Sequence, residues 1–294
     1  MTRRTQQALR EAPLIPLEDL PRYSPWPARL LGLSAWRKPV KSEAELYREY
    51  EEETFAPYLE RARSHYAHSL YREWFAAQTA GTGPSPCHTE CGLRLLTPGQ
   101  QLEVFIDAVQ DALAPHLPAP ALCDLGAGTG KILYCLAQRG VTRQTPLLAF
   151  EFSPSARELI RHFSRNQGLD MQVHACNFLE PRITEAAIPR DAVLFTSFAL
   201  ACVPRDATDF LRALAAFRPR VVAHFEPCAD FFKPDNLQHM MCRRYVEING
   251  YNADIHIAAR ELEAEGVLRV LATRPNVFGG NPLLPFSTVV WTPA

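Results

Sequence analysis

An apolar run that stops at an acid and passes through three closely spaced glycines into a helical pattern constrains this chain more than any other feature. The stretch Ala121-Leu122-Cys123-Asp124-Leu125-Gly126-Ala127-Gly128-Thr129-Gly130 continues directly into Lys131-Ile132-Leu133-Tyr134-Cys135-Leu136-Ala137. Residues 121–123 read as the end of a buried strand, and apolar groups recur at helical spacing after Gly130. Glycines between a strand and a helix let the main chain turn sharply and let a ligand lie against bare backbone. The helix that follows points its unbonded N–H groups and positive dipole end at that ligand. Asp124 at the strand tip narrows the choice of ligand. A carboxylate there repels a pyrophosphate but accepts hydrogen bonds from a ribose hydroxyl, an ammonium group or a bridging water. The glycine pattern also lacks the G-x-G-x-x-G spacing of dinucleotide sites.

The next strand ends test the idea. Residues Pro146 to Glu151 form a second strand candidate, and Glu151 falls roughly twenty residues past the glycines, where a doubly wound fold places an acid for ribose hydroxyls. Ser153 and Pro154 suit the cap and first turn of a helix over 155–168. A third strand, Met171 to Cys176, ends at Asn177-Phe178, and a fourth, Ala192 to Ser197, follows. Together these segments resemble the class I S-adenosylmethionine (SAM)-dependent methyltransferases, with Asp124 to Gly130 matching their motif I. SAM carries a carboxylate, an ammonium and a ribose diol, and no phosphate, which suits the charge pattern. The resemblance implies an α/β fold, a doubly wound seven-stranded Rossmann-like sheet whose last strand is antiparallel. It implies SAM as cofactor, leaving S-adenosylhomocysteine, held by Asp124, Gly126, Gly128, Gly130, Glu151, Phe152, Asn177, Phe178 and Ser197. The family usually has an aspartate where this chain has Asn177, whose amide can both donate and accept.

The 294 residues allow one large domain, or one domain with an appendage. We expect an N-terminal helical cap and substrate lid over 1–95 and a methyltransferase domain over 96–294. Prolines at 13, 16, 21, 25, 27 and 39, interleaved with Trp26 and Trp36, suggest an irregular segment wrapped over apolar surface. Ser42 with Glu45 is a capping-box pair that starts a helix through Tyr47, Tyr50, Phe55 and Tyr58, with a break near Pro57. Residues 80–86 read as a loop. A helix over 98–113 leads into the sheet. Later helices are expected over about 205–217 and 254–265, a fifth strand over 220–226, and two terminal strands over 269–274 and 287–291.

Lys+Arg of 31 against Asp+Glu of 32 gives no basic surface for nucleic acid, which is not expected as a substrate. The basic start, Met1-Thr2-Arg3-Arg4, lacks an apolar segment behind it, so no secretory signal is read. The longest apolar stretch, about 192–204, is too short to span a membrane. Cysteines such as Cys123, Cys176 and Cys202 fall in or beside buried strands, as small core groups of a reducing compartment do. A cytoplasmic protein is expected. Cys87, His88 and Cys91 have no second ligand pair at zinc spacing, so they read as a proline-rich loop and no metal is expected. Oligomeric state stays open.

The acceptor site must lie at the carboxyl ends of strands four and five. Strand four leaves through Ser197 to Pro204 without the Asn-Pro-Pro-Tyr motif of enzymes that methylate amides or DNA-base amines. It also lacks a His-His or metal-acid set and the double-glutamate loop of protein arginine methyltransferases. Strand five ends in His224-Phe225-Glu226-Pro227, with His224 and Glu226 on one face. Glu226 is read as a base or a holder of a cationic amine, against a capping carboxylate. His224 is read as a core histidine or a base. Tyr47 and Tyr50 share a helix face that either lids the donor or packs on the core. Residues Arg243 to Asn252, with Glu247 and Tyr251, suit a substrate lid, and the Asn276 to Asn281 turn could reach the same mouth. Candidate catalytic residues are therefore Glu226, His224 and Tyr50, and candidate substrate residues Tyr47, Glu247 and Tyr251. The resulting expectation is methyl transfer to nitrogen or oxygen of a small molecule or short peptide, as in natural-product biosynthesis. Acidic and aromatic candidates lean it to nitrogen in a cationic or amino-acid-like acceptor. The alternatives are O-methylation of a phenol or carboxylic acid with His224 as base, and a non-catalytic partner subunit.

Overall fold

The computed structural model describes residues 2–39 and 42–294. Met1, Val40 and Lys41, which belong to the expected cap, lie outside the described residues. Short apolar runs bounded by Gly, Pro and polar turns become strands: β1 (Leu14–Ile15), β2 (Ser85–Thr89), β3 (Gly92–Leu96), β4 (Leu122–Leu125), β5 (Leu147–Glu151), β6 (Met171–Ala175), β7 (Val193–Ser197), β8 (Val221–Glu226), β9 (Leu268–Gly279) and β10 (Phe286–Pro293). The helices are α1 (Arg3–Glu11), α2 (Trp26–Leu30), α3 (Glu43–Tyr47), α4 (Ala56–His65), α5 (Tyr71–Gln78), α6 (Pro98–Leu113), α7 (Lys131–Gln138), α8 (Pro154–Gln167), α9 (Ala207–Ala215), α10 (Leu237–Asn249) and α11 (Ile255–Ala264).

All ten strands join one sheet in the order β1-β3-β2-β9-β10-β8-β7-β4-β5-β6. Strands β4 to β8 pair in parallel, and β10 runs antiparallel to both β8 and β9. The expected count of seven is corrected to ten. The extra strands come from residues assigned to the cap. The Cys87–Cys91 segment, expected to be a loop, is the β2–β3 hairpin, which pairs with β9 through His88 and Gly279, and β1 adds to β3. Its prolines hid the strand, because Pro84 and Pro86 read as punctuation; Pro86 precedes His88 and Thr89, the two β2 residues that pair with β9, so one side of the strand has no ladder at the proline.

Strand side chains alternate between two apolar layers. Leu122, Leu147, Ala149, Phe195 and Phe225 face α6, α7 and α8. Cys123, Leu125, Leu148, Leu194 and Trp291 face α9 and α11. Helices on both faces are what near-continuous apolar parallel strands require. The sheet changes direction between β4 and β7, so a crevice opens at the carboxyl ends of those strands.

Over the crevice, residues 43–65 form one helical rod. Ser42 Oγ accepts from the Glu45 amide at 3.3 Å, as the capping pair predicts. In place of a break near Pro57, Arg48–Phe55 widens into a π-helix and α4 continues beyond it. The wider turns give the proline ring room against the carbonyl four residues back. Residues 243–249, expected in a lid loop, are helical and belong to α10. β9 is longer than expected, running through Pro275 to Gly279, with register shifts in its pairing to β10. Among the described residues no helix is long and apolar enough to cross a membrane.

Trp291 is fully buried, and its indole N–H donates to His224 Nε2 at 2.9 Å. Trp291→Phe is expected to lower unfolding free energy by about 1–3 kcal/mol, the cost of an unpaired buried acceptor. Urea denaturation would read this as a lower midpoint at unchanged slope.

Candidate functional site

A cavity of 840 Å³ lies at the carboxyl ends of β4, β5 and β7, beneath the 43–65 rod. Its size is near the top of the usual range for small-molecule sites, about 300–1,000 Å³. The glycine turn forms its floor. Gly126 has φ +82°, and a Cβ there would stand 2.5 Å from the Ala199 methyl and 3.3 Å from the Phe178 ring. A side chain would therefore push apart two segments of wall. Gly128, at φ +55°, presents bare backbone on the cavity side, with its nearest neighbour, the Phe55 ring, 3.8 Å from where a Cβ would be. Gly130 does not line the cavity; it makes the left-handed entry into α7 and packs against Tyr134 and Ile160.

Two acids stand at adjacent strand tips. Asp124 is 1% exposed, lines the cavity, and has an Oδ2 atom with no hydrogen-bond partner. Burial pushes its pKa well above the usual carboxylate range, the charge of Glu151 adds to the rise, and Lys131 opposes it. Glu151 Oε2 accepts from the Gly128 amide at 2.7 Å and Oε1 from the Ser153 amide at 2.9 Å. Burial raises the Glu151 pKa against those two bonds. Lys131, the first residue of α7, also lines the cavity, its ammonium 5.5 Å from the centre of the Phe105 ring. Burial lowers its pKa, partly offset by Cys135 and Asp124.

Phe152, Asn177, Phe178 and Ser197 complete this side of the wall. Asn177 Oδ1 accepts from the Leu179 amide at 3.0 Å, and its Nδ2 donates to Glu43 and Glu180. The rod supplies the roof through Leu46, Tyr50 and Phe55. Tyr50 and Phe55 are five residues apart and would diverge on an α-helix; i→i+5 hydrogen bonding returns them to one face, where their rings stack 6.3 Å apart. The rod is tied to the sheet at its acids. Glu51 accepts from the Ser153 and Ser155 hydroxyls and the Ser155 amide at the start of α8. Burial works against its ionisation, but those serine bonds prevail and hold its pKa below the ordinary value. Tyr50 donates to Cys202 Sγ at 3.0 Å, and burial pushes its pKa upward.

Two expected catalytic residues are not at the cavity, and the structure corrects both. His224 is fully buried beneath it. Its Nε2 accepts from Trp291, so Nδ1 carries the proton and donates to Thr196 Oγ1 at 2.9 Å. With both nitrogens used and burial lowering its pKa to about 3, it is no base. Glu226, 1% exposed, accepts from the amides of Ala199, Leu200 and Ala201 at 3.0 to 3.3 Å and from the Thr196 hydroxyl. The carboxylate thus clamps the loop after β7, whose first residue, Phe198, holds a left-handed φ of +50°.

The substrate candidates are corrected too. Tyr47 is 40% exposed and meets Phe152 edge-on from outside the cavity. Glu247 sits on the outer face of α10 with Arg244 at 3.4 Å. Tyr251 stacks on Tyr245, 6.0 Å between centres, off the cavity wall. Sequence reasoning missed Lys131, Phe105, Gln101 and Phe55. The first three had a signal: Lys131 follows the last glycine, and Pro98, Gln101, Leu102 and Phe105 recur at helical spacing on α6, all lining the cavity. Of the Asn276–Asn281 turn, Phe278, Gly280 and Asn281 do reach the wall.

No protein-family model matches the sequence, and no curated protein matches it. Among solved structures, the geranyl diphosphate C-methyltransferase of Streptomyces coelicolor A3(2) is similar at 12% identity and a TM-score of 0.45, over 66% of this chain and 84% of that one. The methyltransferase domain of bacterial CtHen1-C is similar at 17% identity and 0.44, over 66% and 99%. A mutant of MtNAS is similar at 10% identity and 0.49, over 85% and 75%. Likenesses this faint decide nothing about the chemistry, which rests on the site itself.

Burial raises the Glu226 pKa from 4.5 to about 7 against its amide bonds. The folded state therefore holds a proton that the unfolded chain releases between these values. Its stabilising contribution is complete below about pH 4.5 and lost as pH rises through about 7, up to about 3 kcal/mol. Asp124 and Glu151 shift in the same direction. Denaturant unfolding across pH 4.5–7.5 is expected to show stability falling with pH, with a shallower fall in Glu226→Gln. An equal slope in the variant contradicts the assignment.

Proposed function

We propose that this protein is a SAM-dependent methyltransferase that acts on a nitrogen or oxygen of a small molecule or short peptide. One observation carries the reading: Asp124 offers an unpartnered, buried carboxylate oxygen on the cavity wall, two residues before glycines that bare the backbone. An orphaned buried acceptor is costly, and a cationic or hydroxylic ligand removes that cost. SAM brings both groups. Asp124 suits its ammonium. Glu151, held at the next strand tip by backbone amides that include Gly128 and Ser153, suits the ribose diol as a hydrogen-bond acceptor. Phe152, Asn177 and Phe178 line the edge where a flat base would sit.

SAM when bound supplies a methyl group on a sulfonium that leaves readily, so the protein's work is chiefly alignment. The glycine turn and the two acids fix the donor end. Leu46, Tyr50 and Phe55 in the roof exclude water. Tyr50, with its pKa raised and its hydroxyl committed to Cys202, serves as a neutral hydrogen-bonding group and not as a base. O-methylation with His224 as base loses its support, because that imidazole is sealed between Trp291 and Thr196. The unpartnered Asp124 also speaks against a non-catalytic subunit, since a site kept only for packing has no use for a buried open acceptor.

Titration calorimetry with S-adenosylhomocysteine tests the reading. Binding is expected for the native chain, and Asp124→Asn is expected to weaken it at least about tenfold while circular dichroism stays unchanged. Equal affinity in the variant would sink the role given to Asp124, and no binding to the native chain would sink the function.

A further inference from the structure

The cavity's charges are few. Among the described residues that line it, Asp124, Glu151 and Lys131 are the carboxylic acids and the amine or guanidine bases. SAM carries two positive groups, sulfonium and ammonium, and one carboxylate. On the reading above, Asp124 meets the ammonium and Glu151 the ribose diol, and Lys131 then meets the carboxylate. Nothing charged is left over for a second molecule.

The other half of the cavity is of different character. Its wall is one face of α6 (Leu102, Phe105), Phe75 from α5, Phe198 after β7 and Phe278 from β9. Aromatic edges meet there: the rings of Phe105 and Phe198 lie 5.6 and 5.9 Å from Phe286 behind them. Its polar groups are uncharged: Thr79, Thr82, Ser85 and Asn281 line the cavity, and Gln101 Nε2 donates to Ser85 Oγ at 2.8 Å and to the Leu96 carbonyl at 3.0 Å. An ammonium brought into this half would lose its hydration with no acid to meet it, and a carboxylate would find only Lys131, whose ammonium lies 5.5 Å from the Phe105 ring and is assigned to the donor. A flat apolar body loses nothing there and gains ring contacts.

Resting on the donor-site reading above, we propose that the acceptor is an electrically neutral molecule with a planar, largely apolar body, methylated on an uncharged hydroxyl or amine nitrogen. This replaces the cationic or amino-acid-like acceptor that Glu226 and Glu247 suggested before they were placed outside the cavity. In the transfer, a lone pair of the acceptor oxygen or nitrogen takes the methyl carbon. The pair of the breaking carbon–sulfur bond stays on sulfur as a neutral thioether, and the acceptor's O–H or N–H proton passes to water at the cavity mouth. Lys131 is assigned to the donor's carboxylate and not to an anionic acceptor.

Calorimetry on the full chain saturated with S-adenosylhomocysteine, using three probes of one shape, tests the proposal: 2-naphthol, 2-naphthylmethylammonium and 2-naphthoate. The neutral probe is expected to bind at least tenfold more tightly than either ion. Equal or tighter binding of an ion overturns the proposal, and so does failure of all three while S-adenosylhomocysteine binds. Failure of S-adenosylhomocysteine itself is a separate result that removes the donor site. Lys131→Met and Lys131→Gln test the charge match. Each is expected to weaken S-adenosylhomocysteine at least fivefold and to leave 5′-methylthioadenosine, which lacks the amino-acid portion, within twofold. Unchanged S-adenosylhomocysteine binding in both variants frees that charge for an anionic acceptor and overturns the proposal.

Discussion

Two carboxylates held out of water at the tips of neighbouring strands are the constraint around which the rest is arranged. β4 and β5 pair in register, Asp124 beside Ala149 and Leu125 beside Phe150, so Asp124 and Glu151 are brought close by backbone geometry alone. Their charges oppose each other, and burial makes each costlier to ionise. The chain offsets that cost unevenly. Glu151 receives amides from Gly128 and Ser153, which also fixes the glycine turn and the start of α8. Asp124 keeps one oxygen unpartnered. An imbalance of this kind is what a binding site looks like before its ligand is counted.

The roof follows from the same need to seal the cavity. A straight α-helix over residues 43–65 would bring Leu46 and Tyr50 to the crevice and turn Phe55 away. Widening over Arg48–Phe55 keeps all three over it, at the expense of poorer helix geometry. Glu51 secures that arrangement at the start of α8, where hydroxyls and an amide converge on one carboxylate. The residue also makes the rod's position depend on Ser153, two residues past Glu151. Roof and floor thus share a corner.

The strand–turn–helix core was legible because apolar runs, glycines and acids occur there in an order that few folds can use. Its strand ends fell within a residue or two of those expected, and the cavity gathers Asp124, Glu151, Asn177 and Phe178 as that order implies. What was not legible depends on period and context. Phe55 is invisible to a 3.6-residue period because the local period is longer. β2 carries Pro86, which argues for a loop unless the strand is paired on one side only at that residue, as it is here, where β9 meets His88 and Thr89 alone. Residues 243–249 look like a loop by polarity, yet Cys242, Tyr245 and Val246 give α10 a buried stripe that sequence reading took for lid aromatics.

Glu226 shows most plainly why residue type at a strand tip is weak testimony on catalysis. A carboxylate at the carboxyl end of a central strand has two uses, and the choice is made by the loop beside it. Here the loop after β7 starts with Phe198 in a left-handed conformation that L side chains seldom adopt, and its next three amides face inward with no strand to pair with. Left alone, those amides would be buried and unsatisfied. Glu226 accepts all three, Thr196 donates to it, His224 donates to Thr196, and Trp291 donates to His224. Four side chains on β7, β8 and β10 are thereby committed to one turn. That turn is what puts Phe198 and Ala199 against the cavity, with Ala199 in the space Gly126 vacates. The two residues that most resembled an acid–base pair thus bear on the cavity only through the shape of its wall, and a cavity shaped without a base at its apolar end suits the proposed neutral acceptor, whose proton needs no buried receiver.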